Sequence, residues 1–241
     1  VMHPDRLRDD VAWLDARPHT AAVSSRVKLI PKRDARGAFA SYVAWQNAAL
    51  SADDHAREIW IEQPLCHPAT TFRRSVLVDA GGFHSGVPED YELFLRLVVA
   101  GHRLEKRPAV HHAWRRHPGQ STRFTRDALA SVKAHALIAK FDLARRDVVV
   151  AGAGKEGGRI ARAFARHGVR VTSFLDVATR RIGRKRHGVD VLDARLLPTL
   201  RTSLSAPFVV AAVGTSGSRG VVRAQLSDAG FVECVDCVVV A

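Results

Sequence analysis

The 241-residue sequence predicts an α/β fold divided into two domains, on the basis of three features. The first is a change of character near residue 145, since all four tryptophans precede it. The second is the later part, in which apolar strand-like runs alternate with Gly-rich turns and helical segments, as in parallel sheets. The third is the earlier part, in which helices and strands are mixed. We therefore expect a small parallel α/β domain that follows a different α/β domain.

The composition is typical of a folded globular protein, with 46% hydrophobic and 25% charged residues. Three cysteines are too few for a disulfide framework. No apolar run is long enough to span a bilayer, and the first residues lack the apolar segment of a signal peptide. The sequence thus predicts a cytoplasmic protein. Peripheral contact with the inner face of the membrane stays open as an alternative, because the chain is positively charged.

The formal net charge of +13 raises the question of an anionic partner. The densest basic cluster comprises Arg180, Arg181, Arg184, Lys185 and Arg186. No aromatic side chain is interleaved with this cluster, whereas a surface that stacks nucleic-acid bases requires aromatic residues. We therefore expect a solvated basic face and do not expect a nucleic-acid partner.

The two domains are separated by a segment with helical periodicity. Residues 126–146 carry apolar positions such as Leu129 and Phe141 on one face. We interpret this segment as a helical connector between a first domain at residues 1–125 and a second domain at residues 147–241. We expect the connector to pack against the first domain and to lead into the second.

An acidic pair, Glu89 and Asp90, follows Pro88 at the start of a predicted helix that ends at Gly101. Acidic side chains in a first helical turn complement the helix dipole, and this structural role is common. The pair by itself therefore does not indicate catalysis. The motifs around it change that interpretation.

Several short motifs surround the acidic pair in order. They are His67-Pro68, Phe72-Arg73-Arg74, Gly81-Gly82-Phe83, Glu89-Asp90-Tyr91-Glu92-Leu93, Leu95-Arg96-Leu97, Gly101 and Trp114-Arg115-Arg116-His117. This succession resembles the C-terminal half of family 2 glycosyltransferases of the GT-A fold, over about residues 1–125. The opening His3-Pro4-Asp5-Arg6-Leu7 looks like the segment that follows the metal-binding Asp-x-Asp of those enzymes. The resemblance implies a partial GT-A-type domain.

The same resemblance implies an inverting, hexosyltransferase-like enzyme of glycan biosynthesis. Its donor would be a nucleoside diphosphate sugar, and its acceptor would be a hydroxyl group of a glycan or of a lipid-linked sugar. Asp90 matches the general base of the family, a carboxylate that takes the acceptor proton as the new bond forms. Glu89 would orient the start of the helix or contact the acceptor.

Members of this family also use a divalent cation, Mn²⁺ or Mg²⁺, to stabilise the leaving diphosphate. The family's ligands are the Asp-x-Asp and often a later histidine, for which His112 and His117 are the candidates in this sequence. We assign His112 as the candidate metal ligand. Arg115 and Arg116 are alternatives, because guanidinium groups neutralise phosphate directly.

One part of the family pattern is missing from the printed sequence. No Asp-x-Asp precedes the matching region, and the strand–helix units that bind the donor nucleotide are also absent. The resemblance therefore implies an enzyme that is N-terminally truncated here, with the acceptor side of the site but without the donor side. We do not expect catalysis by this chain alone.

A G-x-G-x-x-G motif opens the second domain. The strand-like residues 147–151 lead into Gly152, Gly154 and Gly157, and a helical segment follows. In this context the first glycine permits a tight turn, the second lets a pyrophosphate approach, and the third permits close helix packing. The N-terminus of the helix adds an anion site. Asp176, 24 residues after Gly152, stands where a ribose-binding carboxylate is expected.

A second Gly-rich turn follows the strand-like residues 208–213 and contains Gly214 and Gly217. Two such turns at the carboxyl ends of parallel strands face one crevice, where open α/β sheets bind ligands. The domain resembles a half-length Rossmann unit, such as the N-terminal nucleotide-binding part of sugar acyltransferases. We expect it to bind a nucleotide, a nucleotide sugar or NAD.

Three alternatives stay open for the second domain. Its glycines could merely permit tight turns between strands and helices. The chain could be a non-catalytic regulatory module that holds a nucleotide. It could also be an NAD-dependent oxidoreductase, although the domain has no tyrosine to assist hydride transfer, and Asp176 would repel the 2′-phosphate of NADP.

Overall fold

The computed structural model describes residues 1–30, 37–115, 124–214 and 217–241. The chain divides into two compact units, Val1–Phe124 and Thr125–Ala241. Both units are α/β, which confirms the fold class that the sequence predicts, and a parallel sheet forms the second. Over the described ranges, none of the helices combines the length and the apolar character needed to cross a membrane.

The first unit is built on a small mixed sheet with helices around it. Its elements are α1 (Arg6–Asp15), β1 (Thr20–Ile30), α2 (Gly37–Ala48), α3 (Ala52–Glu58), β2 (Thr71–Phe72), α4 (Arg74–Asp79), α5 (Glu89–Val99) and β3 (Arg103–Arg115). The strand order is β2-β1-β3, with β1 parallel to β3 and antiparallel to β2. Strand β1 lies in the centre and is buried along most of its length. This burial explains its small and apolar side chains.

Helix α5 carries the acidic pair at its first turn and anchors that turn to the core. The anchoring side chains, all buried, are Tyr91, Leu93, Phe94, Leu95, Leu97 and Val98. The hydroxyl group of Tyr91 also donates a hydrogen bond of 2.6 Å to the carbonyl oxygen of Ile59. The helix ends before Gly101, which has a φ of 86°. A left-handed residue at this position favours glycine, as the sequence predicts.

A buried ionic network joins α1 to β3 and to the loop before β2. The carboxylate of Asp10 is fully buried and accepts hydrogen bonds from Arg6 at 3.2 Å and from Arg107 at 2.9 Å. The hydroxyl group of Thr71 donates to the same carboxylate at 2.9 Å. Arg6 also donates to the carbonyl oxygen of Pro68 at 2.8 Å. These contacts hold α1 against β3 and against the loop that contains His67.

A buried histidine makes the stability of the first unit depend on pH. Burial, together with the nearby charge of Lys106, lowers the pKa of His55 to about 3. The unfolded chain takes up this proton near pH 6.5, whereas the folded chain does not. We therefore expect the free energy of unfolding to fall as the pH drops from about 6.5 towards 3, by up to about 1.4 kcal/mol per pH unit from this group.

The test of this pH dependence is a series of urea denaturation curves followed by tryptophan fluorescence. In His55→Leu the decrease in stability below pH 6.5 should be smaller than in the wild type. The exposed His19 provides the control, and His19→Gln should keep the wild-type pH dependence. Identical pH profiles for wild type and His55→Leu would contradict the assignment.

The second unit is built on a six-stranded sheet. Its elements are α6 (Arg126–Phe141), β4 (Asp147–Ala151), α7 (Lys155–Arg166), β5 (Val171–Asp176), β6 (Lys185–Arg186), β7 (Val189–Asp193), α8 (Leu197–Ser203), β8 (Pro207–Ala211), α9 (Ser218–Asp228) and β9 (Cys237–Val239). The strand order is β6-β7-β5-β4-β8-β9, and every pair is parallel except β6 with β7. Without the short edge strand β6, this is the doubly wound Rossmann order, which reverses between β4 and β8.

Helix α6 belongs to the second unit, whereas the sequence had suggested a connector packed on the first domain. The ring of Phe141 lies 4.9 Å from that of Phe208 on β8, and the ammonium group of Lys133 donates to the carbonyl oxygen of Val240 at 2.8 Å. The helix also stops earlier than the periodicity suggests. Its last residue is Phe141, its C-cap Asp142 has a φ of 49°, and residues 143–145 form a short 3₁₀ turn.

Candidate functional site

The Gly-rich turn after β4 is tightly packed at its first and third glycines. Gly152 has a φ of 105°, and a Cβ there would lie 2.8 Å from the carbonyl oxygen of Ala212. A Cβ on Gly157 would overlap the carbonyl group of Gly152. Both positions therefore require glycine for packing within the unit, because a backbone group occupies the space of any larger side chain.

The second glycine of the motif differs from the other two. Gly154 is the N-cap of α7, has a φ of −75°, and no atom lies within 4 Å of the place where its Cβ would be. Nothing within the described part of the second unit accounts for the missing side chain. Gly154 lines an open cavity, so a side chain there would enter space that a ligand could occupy.

This cavity has a volume of about 600 Å³ and lies at the carboxyl ends of β4, β5 and β8. Its walls are mainly apolar, with Leu175, Val177, Leu197, Val213, Val221 and Leu226 among them. The polar side chains at its edge are Lys155, Glu156, Asp176, Arg181, Ser218 and Gln225. An apolar cavity with a few polar groups, placed where the strand order reverses, is the usual form of a ligand site in this fold.

Asp176 lies at the end of β5 and connects that strand to the Gly-rich turn. Its Oδ2 accepts hydrogen bonds of 2.9 Å from the backbone N–H of Ala153 and from the guanidinium group of Arg181. Its Oδ1 accepts a bond of 2.8 Å from the N–H of Ala178. Burial opposes ionisation, but these three donors outweigh it and lower the pKa of Asp176. Oδ1 keeps room for one further donor, such as a ribose hydroxyl group.

The second Gly-rich turn lines the same cavity. Gly214 contributes to the wall, while Gly217, with a φ of 82°, precedes the first residue of α9. Thr215 and Ser216 lie outside the described residues. The structure thus brings Gly152, Gly154, Asp176 and Gly214 to one cavity, as the sequence argument expects of parallel strands.

Arg181 is a cavity residue that the sequence argument did not single out. The sequence places it in a basic cluster that is predicted to be a solvated face, yet its guanidinium group pairs with Asp176 and lines the cavity. A signal was present in the sequence, because the cluster begins four residues after the aspartate that ends β5. That spacing places basic side chains beside the Gly-rich turn.

In the first unit, the two acidic residues have different surroundings. Asp90 is half-buried, and its Oδ2 lies 3.9 Å from Nδ1 of His67, while its Oδ1 accepts a 2.7 Å bond from the N–H of Tyr91. Glu89 is exposed to solvent. Only Asp90 therefore faces other motif residues, and its carboxylate is open enough to receive a hydroxyl proton.

The motif residues around Asp90 form an aromatic cluster. His67 lies 5.2 Å from Phe83 and 6.5 Å from Phe94, measured between ring centroids. Phe72 lies 5.5 Å from Phe94. Arg96 fixes the adjoining glycine turn, because its guanidinium group donates to the carbonyl oxygens of Ala80 and Gly82. Motifs that are separated in the sequence therefore meet on one side of α5.

The residues described for the first unit do not fit a metal site. Within the described ranges, no group of three His, Cys, Asp or Glu side chains is placed to hold a metal ion. Burial first, and then the positive charges of the Val1 ammonium group and Arg6, lower the pKa of His112 to about 4. Positive neighbours disfavour a cation, so we do not propose metal ligation by His112. Arg116 and His117 lie outside the described residues.

Comparison with known proteins gives only partial similarities. No protein-family model and no curated protein matches the chain. A solved structure of RSP, a Rex-family repressor, is 17% identical over 47% of this chain and 61% of that one, with a TM-score of 0.36. UDP-D-quinovosamine 4-dehydrogenase from Vibrio fischeri is 20% identical over 36% of this chain and 75% of that one, with a TM-score of 0.33.

A perosamine N-acetyltransferase from Caulobacter crescentus, solved with CoA and GDP-perosamine, is 27% identical over 37% of this chain and 41% of that one, with a TM-score of 0.32. The chain spans about half to three fifths of the length of the repressor structures that it matches. These TM-scores are low, and the fold and site of this protein rest on the geometry described above.

Proposed function

We propose that the second unit binds a nucleotide, such as a nucleoside diphosphate, a nucleotide sugar or NAD. The observation that carries this proposal is the open space in front of Gly154, beside a cavity of about 600 Å³. The glycines before and after it are explained by packing, but Gly154 is not. A backbone that has no side chain beside a cavity allows the close approach of a phosphate group.

The local electrostatics agree with a phosphate at this position. Helix α7 has twelve residues, and its first N–H groups are directed towards the turn that Gly154 ends. Lys155 is at the edge of the same cavity. The apolar wall formed by Val177, Leu197 and Val221 offers a surface for a base or another flat apolar group.

The proposal is tested by calorimetric titration of the chain with UDP, ADP and NAD, without added metal. Gly154→Val should lower the affinity for the ligand that binds by about 100-fold or more, because the side chain enters the phosphate position. The fold should be retained, since the space is open. The control is Gly220→Ala on α9, an exposed helical position with no atom near its Cβ. Equal affinities in wild type and Gly154→Val would refute the proposal.

We also propose, for the first unit, the acceptor side of an inverting glycosyl transfer with Asp90 as general base. Support comes from the position of Asp90, which is half-buried, 3.9 Å from His67 and beside the aromatic cluster of His67, Phe72, Phe83 and Phe94. Aromatic faces commonly pack against sugar rings, and a carboxylate at their edge is suited to take a hydroxyl proton. This chemistry needs a donor half from elsewhere.

The test of this second proposal uses the chain joined to a donor-side half and measures sugar transfer from a nucleoside diphosphate sugar. Asp90→Asn should lower kcat by about 100-fold to 10,000-fold, because it removes the base but keeps the shape. Glu89→Gln, one residue away and exposed, should change kcat far less. Unchanged turnover in Asp90→Asn would dismiss Asp90 as the base.

A further inference from the structure

A second cavity lies next to the Gly-rich turn and is lined mainly by cations. Its volume is about 490 Å³, and its walls include Ala153, Arg180, Arg181, Arg184, Lys185 and Arg186. Ala153 belongs to the Gly-rich turn, and Arg181 also lines the cavity of about 600 Å³ described above. The basic cluster, which the sequence suggested is a solvated face, thus surrounds a concave site. We refer to it below as the basic cleft.

The positive charge of the basic cleft is only partly neutralised. Arg181 pairs with Asp176 at 2.9 Å, and Lys185 pairs with Asp190 at 3.3 Å. Within the described residues, Arg180, Arg184 and Arg186 have no carboxylate partner. The Nε of Arg186 is buried and lacks a hydrogen-bond partner in the same part of the chain. Three guanidinium groups of the basic cleft are therefore not neutralised by a carboxylate in this part of the chain, and an anionic ligand would neutralise them.

The backbone holds these side chains in place. Strands β6 and β7 form a hairpin whose two turn residues, His187 and Gly188, both have positive φ values of 50° and 79°. Two positive φ values are the signature of a type I′ turn, which gives a well-defined hairpin. The N–H of Val191 donates to the carbonyl oxygen of Arg184 at 2.8 Å. Arg186 therefore lies on a well-defined hairpin, and Arg184 is hydrogen-bonded to that hairpin through its carbonyl oxygen.

A glycine on the neighbouring helix makes room for Arg186. Gly158 lies on α7, and a Cβ at this position would collide with the guanidinium group of Arg186. This glycine follows the G-x-G-x-x-G motif and has no part in its usual roles. Its absent side chain is explained by the guanidinium group that packs on it.

From these observations we propose that the basic cleft binds a dianionic phosphate group. Guanidinium groups match the geometry of phosphate oxygens and bind them through charge-assisted hydrogen bonds. The pairing of Arg181 with Asp176 offsets the carboxylate that would otherwise repel the dianion. Because the basic cleft adjoins the Gly-rich turn, the phosphate group comes either from the ribose of the nucleotide bound next to it or from free inorganic phosphate.

The test is a titration of the whole chain with inorganic phosphate at constant ionic strength, followed by NMR of the backbone amides. The amides of Ala153, Gly158 and residues 180–186 should shift with a saturable dependence on phosphate. Arg184→Gln, at an exposed residue, should weaken binding by about tenfold or more. Gly158→Ala should weaken it less than Arg184→Gln does, because its Cβ displaces only the flexible end of Arg186.

Gly220→Ala is the matched helical glycine control and should bind phosphate as the wild type does. The absence of saturable shifts at these amides, or wild-type affinity in Arg184→Gln, would overturn the proposal. Saturation by duplex DNA but not by phosphate would overturn it too.

NAD and NADP distinguish the two sources of the phosphate, because they differ only in the 2′-phosphate. Tighter binding of NADP by about tenfold, lost in Arg184→Gln, would assign the basic cleft to a phosphate on the ribose. Two other outcomes would assign the basic cleft to free phosphate, provided that the phosphate shifts are saturable. In the first, NAD and NADP bind with equal affinity, and in the second neither nucleotide binds. In the case of no nucleotide binding, the nucleotide proposal fails while the phosphate site stands.

Discussion

Gly157→Ala is expected to destabilise the second unit by roughly 3 kcal/mol or more. The new Cβ would overlap the carbonyl group of Gly152, a residue whose own Cα packs closely on the backbone of Ala212. Neither backbone segment can move without displacing the start of α7 from β4. A clash between two backbone segments is not relieved by a change of side-chain rotamer, so the cost exceeds that of most core substitutions.

The measurement uses the fact that all tryptophans lie in the first unit. Alkylation of the buried Cys237, quantified by peptide mass spectrometry in increasing urea, reports unfolding of the second unit. Tryptophan fluorescence reports the first unit in the same samples. Gly154→Ala is the matched control, because its Cβ meets no atom within 4 Å, and it should change stability by less than about 1 kcal/mol. Similar urea midpoints for Gly157→Ala and Gly154→Ala would show that the turn is looser than the structure indicates.

Asp10→Ala is expected to destabilise the first unit by a comparable amount, roughly 3 to 5 kcal/mol. The carboxylate is fully buried between Arg6 and Arg107, and its removal leaves both guanidinium groups without their shared partner. Arg107 keeps its contact of 3.0 Å with Asp9, whereas among the described residues Arg6 keeps only the carbonyl oxygen of Pro68. An unpaired buried charge costs more than the pair contributed, which explains the size of the effect.

Tryptophan fluorescence in urea measures this effect directly, since Trp13 lies on the same helix. Asp5→Ala is the control, because its ion pair with Arg8 at 3.0 Å is exposed to solvent. An exposed pair contributes little to stability, so the control should stay close to the wild type. If Asp10→Ala and Asp5→Ala unfolded at the same urea concentration, the buried network would contribute no more to stability than the exposed ion pair does.

The first elements of the second unit could be predicted from local sequence. Strand β4 occupies residues 147–151 as expected, and Gly152, Gly154 and Gly157 turn the chain into α7. Strand, turn and helix are encoded by hydrophobic periodicity and glycine within about ten residues, so no distant contact is needed to recognise them. Locally ambiguous positions were less reliable, as the early end of α6 at Phe141 shows.

The candidate sites were only partly predictable. The convergence of Gly154, Asp176 and Gly214 follows from parallel strands, whose carboxyl ends share one edge of the sheet. The sequence did not show that Asp176 is bound by Ala153 and Arg181, or that the basic cluster surrounds a cavity. Nor did it show that His112 has positive neighbours, which removes the support for a metal ligand there.

The sequence by itself determined the α/β class, the strand–turn–helix segment that opens the second unit and the two Gly-rich places where the chain turns after a strand. Tertiary structure alone decided which side chains meet. Arg107 reaches Asp10 across 97 positions, and Asp90 lies beside His67, because the packing of separate elements brings them together. Propensity and periodicity act over a few neighbouring residues, whereas a site is assembled from contacts between segments that are far apart in the chain.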